Sequence, residues 1–378
     1  MRRLTLADLE LFYKGYGGHP FVVDDIEVIK EAGAITTDQT PYYFNPIYGA
    51  YAWAQLNRES NAFGLLPKVT WSRSGWRVIT DFANTLGTGG IAEDGSIPSA
   101  TRPTVQVVKT TPKQVAHSFE LSDIMSQLAE IGADDIYGSV DEMRNYFATE
   151  HARHINKMLM TDVDTPAGYN FESLDRVVSG YPESTLVSDA TDVDIYGIDR
   201  HTSATWADAT INHNGGTNRN LSDEIIRETL SNVKKAGGQP TVMLTGYDTY
   251  AKILGLYMNF VRYDDYLTQG NVQITVNGVE TAEGIDAGVK VSCLYGIPIF
   301  TTQDAPVDGI SRIYILDTSD PEGFGVPRLS FSVLRPTEYY ETRDPFIAGG
   351  FKVKGVYRTA GEVVCRFMKA QAKIRDIV

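Results

Sequence analysis

The chain is short of cysteine, short of histidine and without any long apolar run, and each shortage removes a class of function. Two cysteines occur, Cys293 and Cys365, far apart, so neither a disulfide scaffold nor a four-thiolate metal knuckle is available. Six histidines leave few ways to build an acid–base pair. No stretch reaches the ~18 consecutive apolar residues that read as a membrane-spanning helix. The basic start Met1-Arg2-Arg3-Leu4 runs into Asp8, Glu10 and Lys14 without an apolar stretch, so a signal peptide is not expected. Positive charge is also scarce: 34 Lys+Arg stand against 48 Asp+Glu, a formal net charge of -14. Such a surface repels DNA and RNA unless one face gathers the basic residues, which excludes a conventional nucleic-acid reader.

What is present suits a folded chain with a sizeable core. The 42% hydrophobic residues, 34 Gly and 16 Pro argue against collagen, a long coiled coil or pervasive disorder. At ~150 residues per domain, the length corresponds to two domains or one elaborate one. Residues 1–60 predict short helices over Leu4–Tyr13 and Asp24–Glu31, then an aromatic, proline-punctuated segment, Thr40–Tyr51. Its Tyr42, Tyr43, Phe44 and Tyr48 bury either as a strap on the same chain or as an arm across a neighbouring subunit.

Residues 65–120 carry the clearest organisation. Val69 and Trp71, then Trp76, Val78 and Thr80, form two strand-like stretches around Ser72-Arg73-Ser74-Gly75, and Val105–Val108 and Val115–Leu121 are strand-like beyond them. Between lies Asn84–Ala100, rich in Gly, Ser and Pro, so the pattern predicts an extended hairpin over about residues 66–118. A free ribbon is only marginally stable in water, so this one is expected to lie on another surface.

Val140, Met143, Phe147, His151, Ile155 and Met158 recur at helical spacing within a long helix predicted over 134–160. Arg153 falls on its solvent side. A second helix is predicted over Leu221–Ala236, with Ile225, Ile226, Leu230 and Val233 inward, Asn220 as N-cap and Gly237-Gly238 closing it. A buried strand Thr241–Thr245 and a helix Tyr247–Leu256 follow. Strands are then expected at Val272–Val276, Val289–Val291, Pro298–Thr302 and Ile313–Leu316, with an Asn277-Gly278 turn, giving an α+β (mixed α/β) body with a mixed sheet. Phe351–Arg358 and Glu362–Phe367 read as two strands joined by a Thr359-Ala360-Gly361 turn. In the second, Val363, Cys365 and Phe367 point inward while Glu362, Val364 and Arg366 point outward.

Motifs of chemistry fail their spacing tests. Leu86-Gly87-Thr88-Gly89-Gly90 lacks the Lys-Ser/Thr that a phosphate loop needs, since Ile91-Ala92-Glu93 follows. In Glu150-His151-Ala152-Arg153-His154 the histidines are three apart with the Glu outside the pair, which reads as one packing and one exposed imidazole rather than a zinc-protease helix. Asp162 with Asp164, and Asp189 with Asp192 and Asp194, lack the calcium-loop spacing. Both cysteines read as small buried hydrophobes, and no Gly-x-Ser-x-Gly elbow occurs. No catalytic, cofactor-binding or metal site is expected.

The order of elements resembles the major capsid proteins of tailed double-stranded DNA viruses with the Hong Kong 97 fold. Ile91–Ala100 (IAEDGSIPSA), Val105–Val108 and Val115–Ser122 (VAHSFELS) resemble the family's extended loop returning into a peripheral domain. The 134–159 helix resembles its spine helix, and Leu221–Leu256 with Gly296–Ile299 and Ile313–Asp317 its axial domain. Val356–Phe367 resembles the strand pair that returns the C-terminus to the peripheral domain. The resemblance implies an N-terminal arm (1–64), an extended loop with adjoining strands (65–120), a peripheral domain with the spine helix (121–170), an axial domain (171–335) and a C-terminal return (336–378).

It further implies hexamers and pentamers of this chain closing an icosahedral shell around packaged double-stranded DNA, assembled in a host cytoplasm and found in the virion. Portal, scaffolding and decoration proteins are the implied partners; no membrane is. Assembly contacts would then fall on Trp71, Trp76, Gly87, Gly89, Gly90, Glu93, Gly95 and Pro98 of the loop and on the aromatic arm. Val140, Met143, Phe147 and Ile155 would form the spine-helix core. With some 60 residues before the loop, a scaffold is expected as a separate protein or as already removed. The Lys–Asn cross-link of some members is not expected, because no Lys lies between Lys68 and Lys109. Rival readings are an encapsulin, a cellular compartment of the same fold, and an unrelated α/β enzyme.

Overall fold

The computed structural model describes residues 61–81, 90–96, 102–131, 140–165, 167–257 and 293–378. The helices expected before residue 60, the aromatic segment Thr40–Tyr51, and the strands and turn expected over 272–291 lie outside the described residues.

A short helix α1 (Asn61–Leu65) leads into β1 (Lys68–Thr70), and β2 (Gly75–Asp81) pairs with β3 (Thr104–Lys109) as a two-stranded ribbon. β4 (Lys113–Ser122) runs directly into α2 (Asp123–Ile131), followed by the long α3 (Val140–Leu159) and the one-turn α4 (Leu174–Val177). Then come β5 (Thr210–Asn212), α5 (Asp223–Lys235), β6 (Val242–Thr245) and α6 (Tyr247–Tyr257). β7 (Cys293–Leu294), β8 (Ile297–Thr301), β9 (Ile313–Leu316) and β10 (Leu329–Thr342) precede the one-turn α7 (Pro345–Ala348), β11 (Lys352–Cys365) and β12 (Ala372–Ile374).

Two sheets form the body. The first has the order β1-β10-β11-β4, with β1 parallel to β10 and the other pairs antiparallel. The second is mixed, in the order β5-β12-β9-β6-β8-β7. Its central strands β6 and β9 are buried throughout, as their continuous apolar runs require.

Helix α3 ties the sheets together. Asp141 and Glu142 in its first turn and Lys157 in its last match the helix dipole, and its 20 residues span about 30 Å. Of the predicted stripe, Met143, His151, Ile155 and Met158 are buried while Val140 and Phe147 are half-buried. The N-terminal half lies on the first sheet, where Phe147 stacks on Phe119 at 5.0 Å beside Met143 and Tyr357. Farther along, Ile155 and Leu159 enter a core that takes Phe331 and Val363 from the first sheet and Leu244, Tyr314 and Leu316 from the second. Asn156, fully buried, accepts the Ala62 N–H at 2.9 Å and donates to Asp304 at 2.8 Å, fixing α1 against the helix. On the other face of the second sheet, α5 and α6 cover a separate core through Ile226, Leu230, Val233 and Ile253.

Several expectations are corrected. The hairpin is shorter than the predicted 66–118, because Lys68–Thr70 and Lys113–Ser122 belong to the first sheet and only β2 and β3 form the ribbon. Trp71 lies in the connection after β1 rather than in a strand, its N–H donating to Val333 O at 2.8 Å. The N-cap of α5 is Ser222, whose hydroxyl accepts from Ile225 N–H, not Asn220. The helix does close at Gly237-Gly238: Gly237 has φ +88°, and N–H groups of Gly237 and Gly238 bond Lys234 O and Val233 O. Arg153 is half-buried and paired with Glu150 at 3.3 Å.

The largest correction concerns β11, which passes through Thr359-Ala360-Gly361 without turning and keeps register with β4 there. The irregularity sits opposite, on β10, where register shifts flank Arg335 and Pro336 cannot donate to the ladder. Gly361 marks a close approach instead, since a Cβ there would lie 2.5 Å from Ser332 O and 2.7 Å from the Phe331 ring. Covered on both faces, residues 359–365 are all buried, Glu362 and Val364 included.

Candidate functional site

The ribbon presents two unlike faces, because side chains alternate along each strand. Trp76 opposite Val108 and Val78 opposite Gln106 form the face turned to the body. There Val108 is buried, Trp76 meets the Tyr196 ring edge-on at 5.3 Å, and Gln106 accepts the Trp206 indole N–H at 3.0 Å. The opposite face pairs Arg77 with Val107 and Ile79 with Val105, and leaves Ile79 50%, Val105 46% and Val107 62% exposed. An apolar face so open on a ribbon is a candidate contact surface.

Within the segment between β2 and β3, Gly95 N–H donates to Ala92 O at 2.9 Å, closing a turn whose corners are Glu93 and Asp94. A Cβ on Gly95 would stand 2.4 Å from the Ile91 side chain, so the turn needs glycine there, whereas Gly90 stands in open space. Residues 90–96 are all exposed. Gly87, Gly89, Pro98 and the arm residues Tyr42, Tyr43, Phe44 and Tyr48 lie outside the described residues.

A second apolar prominence was not anticipated from sequence. Between β10 and β11, Asp344 caps α7 by accepting the Phe346 N–H at 2.9 Å, and Gly349 at φ +75° ends it. This rigid turn holds Phe346 96%, Ile347 72% and Phe351 81% exposed. The signal was legible in Asp344-Pro345 followed four residues on by Gly349-Gly350.

No group of side chains described here is poised for catalysis. His151 is buried and His154 exposed, as expected, but both face His117 of β4, which sequence spacing did not reveal. His117 Nδ1 lies 2.7 Å from His151 Nδ1, His151 Nε2 bonds Thr359 at 2.7 Å, and the His154 ring is 4.6 Å from that of His117. Burial pushes all three imidazoles below their ordinary pKa, His151 to about 4. Asp194, Asp199 and His201 come together in the acidic loop. Their oxygens are already engaged: Asp194 accepts Arg200 N–H at 2.7 Å and pairs with His201 Nδ1 at 2.8 Å, and Asp199 accepts from Thr202. Burial pushes the Cys365 thiol up to about 12, which keeps it inert.

The densest buried charge is structural. Asp175, fully buried, accepts from Lys373 Nζ at 2.9 Å, Arg312 at 2.6 Å, Tyr314 at 2.7 Å and Val163 N–H at 2.8 Å. Burial alone would raise its pKa, but Lys373 and Arg312 override that and hold the carboxyl well below the usual carboxylate range. Glu183 pairs with the same Lys373 at 2.6 Å and with Arg375 at 2.5 Å. The network pins α4 to β9 and β12.

No protein-family model matches the sequence, and no curated protein matches it significantly. Solved structures do. The capsid asymmetric unit of cyanophage A-1(L) is similar with a TM-score of 0.57 at 16% identity, covering 87% of this chain and 95% of that one. The capsid of a native GTA particle is similar at 0.50 and 13% identity, covering 86% and 92%. An encapsulin complex from Synechococcus elongatus follows at 0.47 and 10% identity. The chain thus has a mixed α/β fold shared with proteins that form shells. That fold is the Hong Kong 97 type.

Proposed function

We propose that this chain is the major capsid subunit of a tailed double-stranded DNA virus, assembling as hexamers and pentamers into a closed icosahedral shell and acting without a catalytic step. The observation that carries this reading is a fold match spanning 87% of this chain and 95% of a cyanophage capsid chain. It is supported by two apolar prominences, the outer ribbon face and the α7 turn, that nothing among the described residues covers. In this reading residues 65–120 carry the loop, 121–170 the peripheral domain, 171–335 the axial domain and 336–378 the C-terminal return. Residues 1–64 form the N-terminal arm, whose end at Ala62 packs on its own chain and whose Tyr42, Tyr43, Phe44 and Tyr48 lie on a neighbour. Trp71, Trp76, Gly87, Gly89, Gly90, Glu93, Gly95 and Pro98 serve assembly through the loop, and Val140, Met143, Phe147 and Ile155 keep the spine in place. Portal, scaffolding and decoration proteins act with the shell in a host cytoplasm, and the net charge of -14 lets DNA be enclosed without adhering to the wall.

Electron microscopy of the purified full chain tests this. Closed shells are expected, with yield rising from ~0.05 to ~1 M NaCl as like-charge repulsion is screened. Replacing Asn84–Ala100 by a short turn is expected to leave a folded subunit, by circular dichroism, that closes few or no shells. A monodisperse monomer in every salt condition, or normal shells from the loop replacement, overturns the reading. Shells filled with protein cargo rather than DNA, when isolated from their natural source, would assign the chain to a compartment instead.

A further inference from the structure

We propose that the cavity at the base of the ribbon receives the acidic tip of a second copy of this chain, Glu93 and Asp94 docking among Arg73, Arg77, Lys109 and Arg366. The proposal rests on the shell reading and names one contact that would hold neighbours in register.

The cavity, about 940 Å³, lies where the connection between β1 and β2 passes over the first sheet, walled by Trp71 and Trp76 and by the four cations named above. None of the described residues lining it is acidic, in a chain with a net charge of -14. Chance alone would put carboxylates beside such a cluster. Instead Arg73, Arg77 and Lys109 make no ion pair among the described residues, and Arg366 spends Nη1 on Pro327 O and Ser330 Oγ, both at 3.1 Å, rather than on a carboxylate. The indole Nε1 of Trp76, a residue of the same wall, is buried and has no acceptor among the described residues. Four cations and an orphan N–H donor around two aromatic faces fit a carboxylate-bearing loop.

The chain carries a loop of that chemistry. Glu93 and Asp94 occupy the two corners of the turn closed by Gly95 N–H and Ala92 O, exposed and without a cationic partner among the described residues. The paired strands lead away from the cavity of their own chain, since the cavity sits at the Gly75–Lys109 end and β2 runs about 20 Å from there to Asp81. The ribbon base is tightly closed, for a Cβ on Gly75 would lie 2.6 Å from Val108 O, so the paired strands hold that direction. A second copy is therefore the natural donor. The contact is electrostatic and half-open to solvent, so added salt weakens it while relieving the overall repulsion between subunits.

The test exchanges the charges in the full chain. Arg73→Glu with Arg77→Glu, and separately Glu93→Arg with Asp94→Arg, are each expected to lower closed-shell yield by on the order of tenfold, by light scattering and electron microscopy. Combining all four is expected to restore most of it. Should the reversed arginines unfold the subunit, Arg73→Gln with Arg77→Gln replaces them. Parental yield from either reversal overturns the proposal, and so does loss without recovery in the combination. A second measurement does not need shells. A synthetic peptide of residues 88–98, added to unassembled full-length protein, is expected to change tryptophan fluorescence. The same peptide with Glu93→Gln and Asp94→Asn, or the Arg73→Glu/Arg77→Glu protein, should give no change. A silent native peptide sinks the contact, whereas a responding peptide with a parent that never forms shells sinks the shell reading alone.

Discussion

Glu362 gives the sharpest quantitative test of this interior. The side chain is fully buried in β11, with Oε1 accepting the backbone N–H of Glu172 at 2.8 Å and of Val363 at 2.9 Å. Lys113 Nζ stands 3.3 Å from Oε2 but is held more closely by Glu172, at 2.9 Å. Burial dominates and pushes the Glu362 carboxyl from its ordinary 4.5 up to about 7, the Glu172 carboxylate adding to the push and Lys113 opposing it. The folded protein therefore holds a proton that the unfolded chain gives up. Stability from this group is complete below about pH 4.5 and is lost as pH rises through about 7. At ~1.4 kcal/mol per unit, the loss amounts to ~3 kcal/mol at pH 8.

Glu362→Gln keeps the acceptor oxygen and removes the titration. Urea unfolding of the unassembled subunit should then show the variant within ~1 kcal/mol of its parent at pH 5 and ~3 kcal/mol more stable at pH 8. Taking the difference between the two proteins cancels the buried histidines, which titrate in both. A difference that is independent of pH, or that grows toward acid, would refute the argument.

Asp175→Ala strands Lys373 and Arg312 in the interior and should cost ~3–5 kcal/mol in urea unfolding, with part of that recovered when Lys373→Met is added. Phe147→Asp, set against Phe119, should cost ~2–4 kcal/mol, whereas Arg153→Asp loses a half-buried pair with Glu150 and should cost ~1 kcal/mol; reversed ranks in thermal melts would mean that the helix phase is wrong. Removing residues 1–50 should lower shell stability more than subunit stability, at ~1.5–3 kcal/mol per buried aromatic in each copy, and equal losses would place the aromatic segment on its own chain.

What the sequence disclosed follows from range. The stripe of α3, the four-residue strands β6 and β9, and the double glycine closing α5 are local patterns, and periodicity or cap chemistry announces them. Gly361 misled because a glycine after Thr-Ala looks like a turn, while its true constraint is the Phe331 ring pressed against it from another strand. Glu362 was read as outward for the same reason: alternation cannot report that both faces are covered. The ion network was illegible, since Asp175, Glu183, Arg312 and Lys373 are distant in sequence and nothing local separates a buried carboxylate from a solvated one. Of the candidate assembly features, the polar ribbon tip was visible in composition. The cationic cavity was not, because Arg366 joins Arg73, Arg77 and Lys109 only through the fold.

The strand order of the second sheet also sets a timetable for the newborn chain. Among the described strands β5 has a single neighbour, β12, which joins it to β9. Residues 210–212 must therefore wait for residues 372–374, and at about 5–20 residues per second the ribosome needs roughly 10–30 s to supply them. Through that interval β5 is bare, as is the outer edge of β9 once Ile313–Leu316 has been made, and α5, which rests on both β5 and β12, lacks half its floor. Nascent subunits on one message cannot present a finished surface to each other before the sheet closes, which keeps association off the polysome. The cost is a window in which unpaired edges invite wrong partners, and a chaperone acting on this protein would find its substrate there.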